Sequence, residues 1–318
     1  RLVLYQLHTT YWRIHSLILD MTRGVTLIAI GGSGYLKWAV NQAASIKFHS
    51  PAIPIQLIVS KGLYEDAKRH TSLFNIFTLL NDEQWQDDKG RLFPAKIKTS
   101  FYDLLYFDEA IYFDVDGITL KDITPLFEQK DDFVTDVQGV YDLSQGEVFN
   151  HLKWAKPADI WFNFGLKAKA KLPAINSSFL FIRKSEKVKA IFDLAYELLM
   201  TNPLPYNKHW YVWGRQRDHK VSQPDELYFD VAMAMLDIVP SHQVAVYFRM
   251  VNDRGDALPD EKIRENYYGV GLFGQLETNY RQNRSLYNLE AKKCYQELVS
   301  PYFQDYCESL SRTKFAVI

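Results

Sequence analysis

The stretch Asp108-Glu109-Ala110-Ile111-Tyr112-Phe113-Asp114-Val115-Asp116-Gly117 decides how the chain is read. Ala110 to Phe113 is an uninterrupted apolar run. A strand covered on both faces loses the polar alternation of an exposed one, so the run predicts a buried strand of a parallel sheet. Two carboxylates follow, one valine apart. In extended chain residues i and i+2 point to the same side, so Asp114 and Asp116 are expected to offer their oxygens to one cation. Gly117 then lets the chain turn without steric cost. Ligands of open α/β sheets collect at the carboxyl ends of the strands, where this pair is expected to sit. An Asp-x-Asp is common in ordinary turns. Its place after a buried strand gives it weight, because carboxylates beside a core are costly unless paired or metal-bound.

Upstream, Val25 to Ile30 is β-rich, and Gly31-Gly32-Ser33-Gly34 is a turn. Apolar residues at 36, 39, 40, 43 and 46 then mark a helix over Tyr35–His49. Pro51 and Pro54 end it, and Ile55 to Val59 is a second buried strand. This is a strand–helix–strand unit with an expected right-handed crossover. The glycine turn lacks the Gly-Lys-Ser/Thr of a Walker loop and the third glycine of a dinucleotide fingerprint. It reads equally as a plain tight turn or as a backbone surface for a nucleotide. A helix and a short strand at Ile76–Leu80 come next, then a polar loop over Asn81–Arg91. Ala95 to Leu105 reads as a helix with Lys96 and Lys98 near its start.

Downstream, Leu120–Phe127 reads as a connection with one helical turn, and Phe133–Asp136 and Ser178–Ile182 as strands. Helices are expected over Lys187–Met200, over Pro224–Leu236, whose Pro-Asp-Glu start suits the helix dipole, and over 285–311. Residues 139–173 and 202–223 show no periodicity and read as inserts. They carry Trp154, Trp161, Trp210 and Trp213, with Lys167, Lys169, Lys171, Arg215 and Arg217 alongside. Such rings stack on sugars and bases, and the basic residues favour an acceptor with negative charge; packing of the inserts onto the body is the competing reading.

Hydrophobic residues make up 47% of the 318 positions and charged ones 24%, ordinary globular proportions with ample material for a core. The net charge of −1 sets up no overall field that favours nucleic acid or a membrane surface. Cys294 and Cys307 have no partners at zinc spacing and read as unpaired core thiols, which favours a reducing compartment and a cytoplasmic location. No apolar run approaches the ~18 residues a membrane span needs. Residues 1–23 read as an N-terminal extension in which Trp12, Arg13, His15 and Asp20 break any leader core, and Met21 is the expected natural start.

The order of motifs resembles the glycogenin-like glycosyltransferases of family 8. The resemblance rests on Tyr35-Leu36-Lys37-Trp38-Ala39, Tyr112-Phe113-Asp114-Val115-Asp116 and Ile123-Thr124-Pro125-Leu126-Phe127, and on the stretches around Asn176 and Pro224. It covers residues 24–280 discontinuously and implies a single GT-A-type, Rossmann-like α/β domain with a mostly parallel central sheet and aromatic-rich inserts. Residues 281–318 then form a C-terminal helical segment. The implied activity is metal-dependent, retaining transfer of a hexosyl group from a nucleotide sugar, UDP-linked in the usual case, with Mn²⁺ or Mg²⁺. Asp114 and Asp116 would hold the metal. Gly31, Gly32, Tyr35, Lys96 or Lys98, Asp114, Val115, Asp116 and Asp136 would line the donor. Asp225 and Asn176 would act at the sugar. The acceptor is not named by the sequence; a saccharide or glycan comes first, and modified nucleic acid stays open.

The chain departs from the family pattern at two places. Asn176-Ser177-Ser178 stands where members usually carry Asn-x-Gly. The C-terminal metal-binding histidine is missing: Asn266-Tyr267-Tyr268-Gly269-Val270-Gly271 is the nearest stretch, with Asn266 or Tyr268 at its place and His242 as a substitute. Two other functions share parts of this pattern. A nucleotidyltransferase would use a similar sheet, but the glycine turn lacks the basic run that grips a triphosphate. A catalytically inactive nucleotide-sugar-binding protein would have kept the fold and lost the histidine.

Overall fold

Seven strands form the central sheet of the computed structural model, which describes residues 23–142, 157–166, 170–202, 211–212, 215–216, 224–242, 246–248, 259–271 and 281–298. In chain order the first elements are β1 (Arg23–Ala29), α1 (Ser33–His49), β2 (Ile55–Ser60), α2 (Tyr64–Ala67) and β3 (Ile76–Leu80). Next come α3 (Pro94–Ser100), β4 (Glu109–Phe113), β5 (Gly117–Thr119), β6 (Phe133–Asp142), α4 (Pro157–Phe164) and β7 (Lys171–Arg183). After these lie α5 (Glu186–Thr201), β8 (Tyr211–Val212), β9 (Arg215–Gln216), α6 (Asp225–Met235) and β10 (Ser241–His242). The last described elements are β11 (Tyr247–Phe248), α7 (Asp260–Asn266), β12 (Gly269–Gly271) and α8 (Arg281–Leu298).

The sheet order is β10-β6-β7-β4-β1-β2-β3. Neighbours pair in parallel except at β7, which runs antiparallel to both β4 and β6. The expected mostly parallel α/β sheet is therefore present. β1, β2 and β4 are buried along nearly their whole lengths, which is why they read as apolar runs rather than alternating ones.

Helix α1 is buried beyond its apolar stripe. Asn41, Gln42 and Ser45 are fully covered because β5 and α8 close over the face turned from the sheet. Each of the three side chains makes a hydrogen bond there: Asn41 Nδ2 donates to Tyr287 OH at 2.9 Å, Gln42 Nε2 to Thr119 Oγ1 at 3.2 Å, and Thr119 N–H to Ser45 Oγ at 3.0 Å. Leu286, Tyr287 and Ala291 of α8 join the same apolar cluster as β1 and β2.

The segments read as inserts contain regular structure. β6 continues to Asp142, and α4 buries Ile160 and sets Phe164 edge-on against Tyr228 of α6, while Phe162 is 87% exposed. β7 already begins at Lys171, and β8 and β9 form a short hairpin. Trp154, Trp210, Trp213, Arg217, Lys167, Lys169 and Cys307 lie outside the described residues.

The irregular place is in β7. Asp136 pairs with Asn176, but the preceding Thr135 pairs with Leu180, so Ser177, Ser178 and Phe179 have no counterpart on β6. Bulges of this kind bend a strand and re-aim its side chains. The bulge is closed by Thr135, fully buried, whose hydroxyl lies 3.1 Å from Asn176 O and 3.0 Å from Phe179 O. Replacing it by the isosteric valine leaves both carbonyls without that donor. We expect Thr135→Val to cost about 1–3 kcal/mol in urea unfolding. A loss below about 0.5 kcal/mol, the level of a substitution away from any such feature, would show that the bulge does not depend on this hydroxyl.

Candidate active site

Strand β4 delivers the acidic pair, but not in the extended form the spacing suggests. The strand stops at Phe113 and β5 starts at Gly117, so Asp114, Val115 and Asp116 form a turn, with Gly117 N–H 3.4 Å from Asp114 O. The same-side rule for extended chain therefore does not apply. The charges of both carboxylates still reach a common group. The Tyr35 hydroxyl is raised by its burial and then by the charges of Asp116 and Asp114. Val115 turns into the core, 7% exposed, so it has only its backbone to offer a ligand.

Lys98 is the centre of the site. Its Nζ lies 3.1 Å from Asp114 Oδ1, 3.0 Å from Asp225 Oδ2 and 2.8 Å from Ser177 Oγ. Ser177 Oγ in turn donates to Asp225 Oδ2 at 2.5 Å, and Tyr112 OH donates to Asp114 Oδ1 at 2.5 Å. Four elements meet there: α3 brings the lysine, the end of β4 the aspartate, the β7 bulge the serine and the first turn of α6 Asp225. Burial opposes the ammonium, but the Asp114 and Asp225 carboxylates outweigh it and hold its pKa well above the ordinary lysine value. Lys96, two residues earlier on α3, donates instead to the carbonyls of Glu83 and Gln86 and so belongs to the neighbouring loop.

The bulge fastens the surrounding parts. Asp114 N–H donates to Ser178 O at 2.9 Å, which pins the acidic turn to β7. Asp136 is buried on β6 opposite Asn176. Gly31 and Gly32 stand exposed in the β1–α1 turn beyond the carboxyl end of β1, and only Gly31 needs glycine's freedom, with φ at +77°.

Two residues take roles that their sequence pattern did not assign them, and a third was not singled out. Ser177 belongs to the Asn176-Ser177-Ser178 departure, just before the expected strand Ser178–Ile182. Glu226, beside Asp225, is pushed up to about 7 by burial and then by the Asp225 charge. One turn on, Asp230 is 2% exposed and accepts Ile175 N–H at 3.0 Å. An acid at i+4 on an otherwise apolar helix was the available signal for it.

Asn266 and Tyr268, the residues at the place of the missing histidine, make their contacts elsewhere. β12 runs antiparallel to β5 with Gly271 opposite Gly117 and Gly269 opposite Thr119, so Tyr268 falls beside Leu120. That is three residues, about 10 Å of strand, beyond the Gly117 start of β5. Tyr268 takes Lys121 Nζ over its ring at 4.7 Å, and Asn266 donates to Lys262 O within its own helix. The side chain of His242 lies outside the described residues.

The donor chemistry fits a hard divalent cation, since Asp114 and Asp116 offer only carboxylate oxygen. Among the described residues the one trio of metal-capable side chains within reach of a single ion is elsewhere, His49, Glu290 and Cys294. It sits at the far end of α1, some 14 residues or about 21 Å from Tyr35. Its carboxylate is already paired with Arg264 at 2.7 Å and His49 at 2.9 Å, and burial pushes the Cys294 thiol up to about 12. We read it as the ion-paired clamp that docks α8 on α1.

Burial pushes the Asp230 carboxyl well above its ordinary 3.8, with the charges of Glu226 and Asp225 adding to it. A carboxyl that binds its proton more tightly folded than unfolded stabilises the fold while protonated. That contribution is complete below about pH 4 and is lost as the pH rises toward the folded value. Asp230→Asn keeps an acceptor for Ile175 N–H and removes the titration. Its melting temperature relative to wild type is therefore expected to climb between pH 4 and 8. A difference that stays flat across that range would mean Asp230 ionises normally.

No protein-family model matches the sequence, and no curated protein matches it either. Solved structures do share its fold. One is the galactosyltransferase LgtC in complex with donor and acceptor sugar analogs, with a TM-score of 0.52 and 12% identity over 85% of this chain and 95% of that one. Another is the WbbM bifunctional glycosyltransferase in its apo form, with a TM-score of 0.53 and 11% identity over 86% of this chain and 50% of that one. At such identity the likeness speaks for the fold alone, and that fold is the GT-A type of these glycosyltransferases.

Proposed function

We propose that the chain is a metal-dependent, retaining glycosyltransferase that takes a hexosyl group from a nucleotide sugar, with a UDP-sugar as donor and a saccharide or glycan as first-choice acceptor. The observation that carries this reading is the cluster of Lys98 with Asp114, Asp225 and Ser177 at the carboxyl end of β4. It unites groups suited to a diphosphate with groups suited to a sugar, on a fold shared with sugar transferases.

The charges set the order of events. Asp114, Asp116 and Asp225 outnumber Lys98, so a bare diphosphate is repelled. Asp114 and Asp116 would hold Mn²⁺ or Mg²⁺, whose chemistry is to neutralise charge that develops on the leaving diphosphate. Lys98 can turn its Nζ from Asp114 to a phosphate oxygen at little cost, because one of its two carboxylate partners remains. Asp225, still paired with Lys98 and oriented by Ser177 through Oδ2, would accept from a sugar hydroxyl through Oδ1. Asn176 sits on the same bulge and would hold another. Glu226, with its pKa near 7, can carry or release a proton around neutrality. Gly31, Gly32 and Tyr35 border the side on which the nucleotide would lie.

Asp114→Asn and Asp116→Asn are each expected to cut turnover of a nucleotide sugar by about 100-fold or more, with unchanged circular dichroism. Near-wild-type rates at saturating Mn²⁺ would remove that residue from the metal role. Calorimetry is expected to show UDP binding that is weak in chelator and tightens with Mn²⁺. Equal affinity in both would contradict the metal reading. UDP binding without turnover of any nucleotide sugar would make the protein an inactive binder.

A further inference from the structure

Ser177 and Ser178 stand where the resembling family carries x-Gly, and the second serine does something a glycine cannot. Ser178 backbone N–H donates to Asn176 Oδ1 at 2.9 Å, and its hydroxyl donates to the same oxygen. A backbone N–H can only donate, so it fixes which end of the Asn176 amide is oxygen. A carbonyl oxygen has two lone pairs, and Ser178 occupies both. The amide is left with its NH₂ as the group it can offer. Asn176 is half-buried and directly precedes Ser177, which touches Lys98 and Asp225.

We infer that Ser178 is a positioning residue that locks Asn176 as a hydrogen-bond donor only. The site then selects, at this point, a substrate oxygen with a free lone pair. A hydroxyl, a carbonyl of an acylamino group or a ring oxygen satisfies it, and a protonated amine does not. The selection rests on the glycosyltransferase reading given above; the lock itself does not.

With a glycine at 178 the hydroxyl bond is lost and the backbone bond alone remains, so one lone pair is freed and the amide can accept as well as donate. The chain's departure from the family pattern thus narrows what Asn176 can recognise. Ser178 is also held independently, by Asp114 N–H on its carbonyl.

The test uses the full chain. In Ser178→Ala the backbone bond stays and the hydroxyl bond goes. The ¹⁵N order parameter of the Asn176 side-chain amide is expected to fall in the free protein; an unchanged value would overturn the lock. Turnover of a UDP-sugar is expected to fall about three- to tenfold, the worth of one hydrogen bond, with UDP affinity in Mn²⁺ unchanged. In an Asn176→Ala background Ser178→Ala is expected to have no further effect, whereas independent, additive losses would show that Ser178 does not act through Asn176. Asn176→Asp keeps the shape and both acceptor positions but removes the NH₂, so it should lose as much turnover as Asn176→Ala. Wild-type turnover in Asn176→Asp would overturn the donor-only role, and this variant decides the matter should Ser178→Ala fold poorly. If the wild type binds UDP but turns over no sugar nucleotide, the glycosyltransferase reading fails, and the amide order parameter still tests the lock.

Discussion

A strand that carries three residues too many organises this molecule. β7 runs antiparallel between β4 and β6, and at Ser177, Ser178 and Phe179 it has no partners on β6. Extra chain inside a buried sheet exposes backbone polar groups that must be satisfied, and the way they are satisfied builds the site. Thr135 closes the bulge from one side, and Asp114 N–H takes the Ser178 carbonyl from the other. The displaced side chains then reach sideways, Ser177 to Lys98 and Asp225 and Ser178 to Asn176. Asp230 on α6 takes Ile175 N–H just before the bulge. One irregularity thus ties β4, β6, α3 and α6 at a single point, the carboxyl end of the sheet.

Electrostatics explains why the point stays assembled without a ligand. A lysine with 11% of its side chain exposed would be a heavy burden alone. Here two carboxylates face it, and a hydroxyl and a tyrosine complete their hydrogen bonding. Glu226 and Asp230 carry no comparable charge cost, because burial raises both toward their neutral forms. The site therefore has a removable cation partner for Asp114 and a proton-bearing carboxyl within one helical turn. Both suit a reaction in which negative charge builds on a leaving group.

Much of the frame was legible in the sequence, because β1, β2 and β4 lack alternation and α1 repeats at helical spacing. The acidic pair, Lys98, Asp225 and Asn176 were also within reach, through their place after a buried strand or at a helix start. What was not legible depends on register. The turn at Asp114–Asp116 looks extended when only spacing is read. The choice between Lys96 and Lys98 turns on which side of α3 faces β7, and both lie on short-range equivalent positions. Regular structure inside residues 139–173 was hidden because β6 is bent and α4 is only 8 residues long. The bulge is invisible to any periodic pattern, since it is a mismatch between two strands 40 residues apart and not a property of either.

A crystal structure with UDP and Mn²⁺ decides whether the Lys98 cluster is a donor site. An anomalous manganese peak is expected on Asp114 and Asp116, with Lys98 Nζ moved from Asp114 toward a diphosphate oxygen and the Ser177–Asp225 hydrogen bond kept. Nucleotide bound elsewhere, or manganese absent from the acidic pair with Lys98 still seated on Asp114, would contradict that assignment.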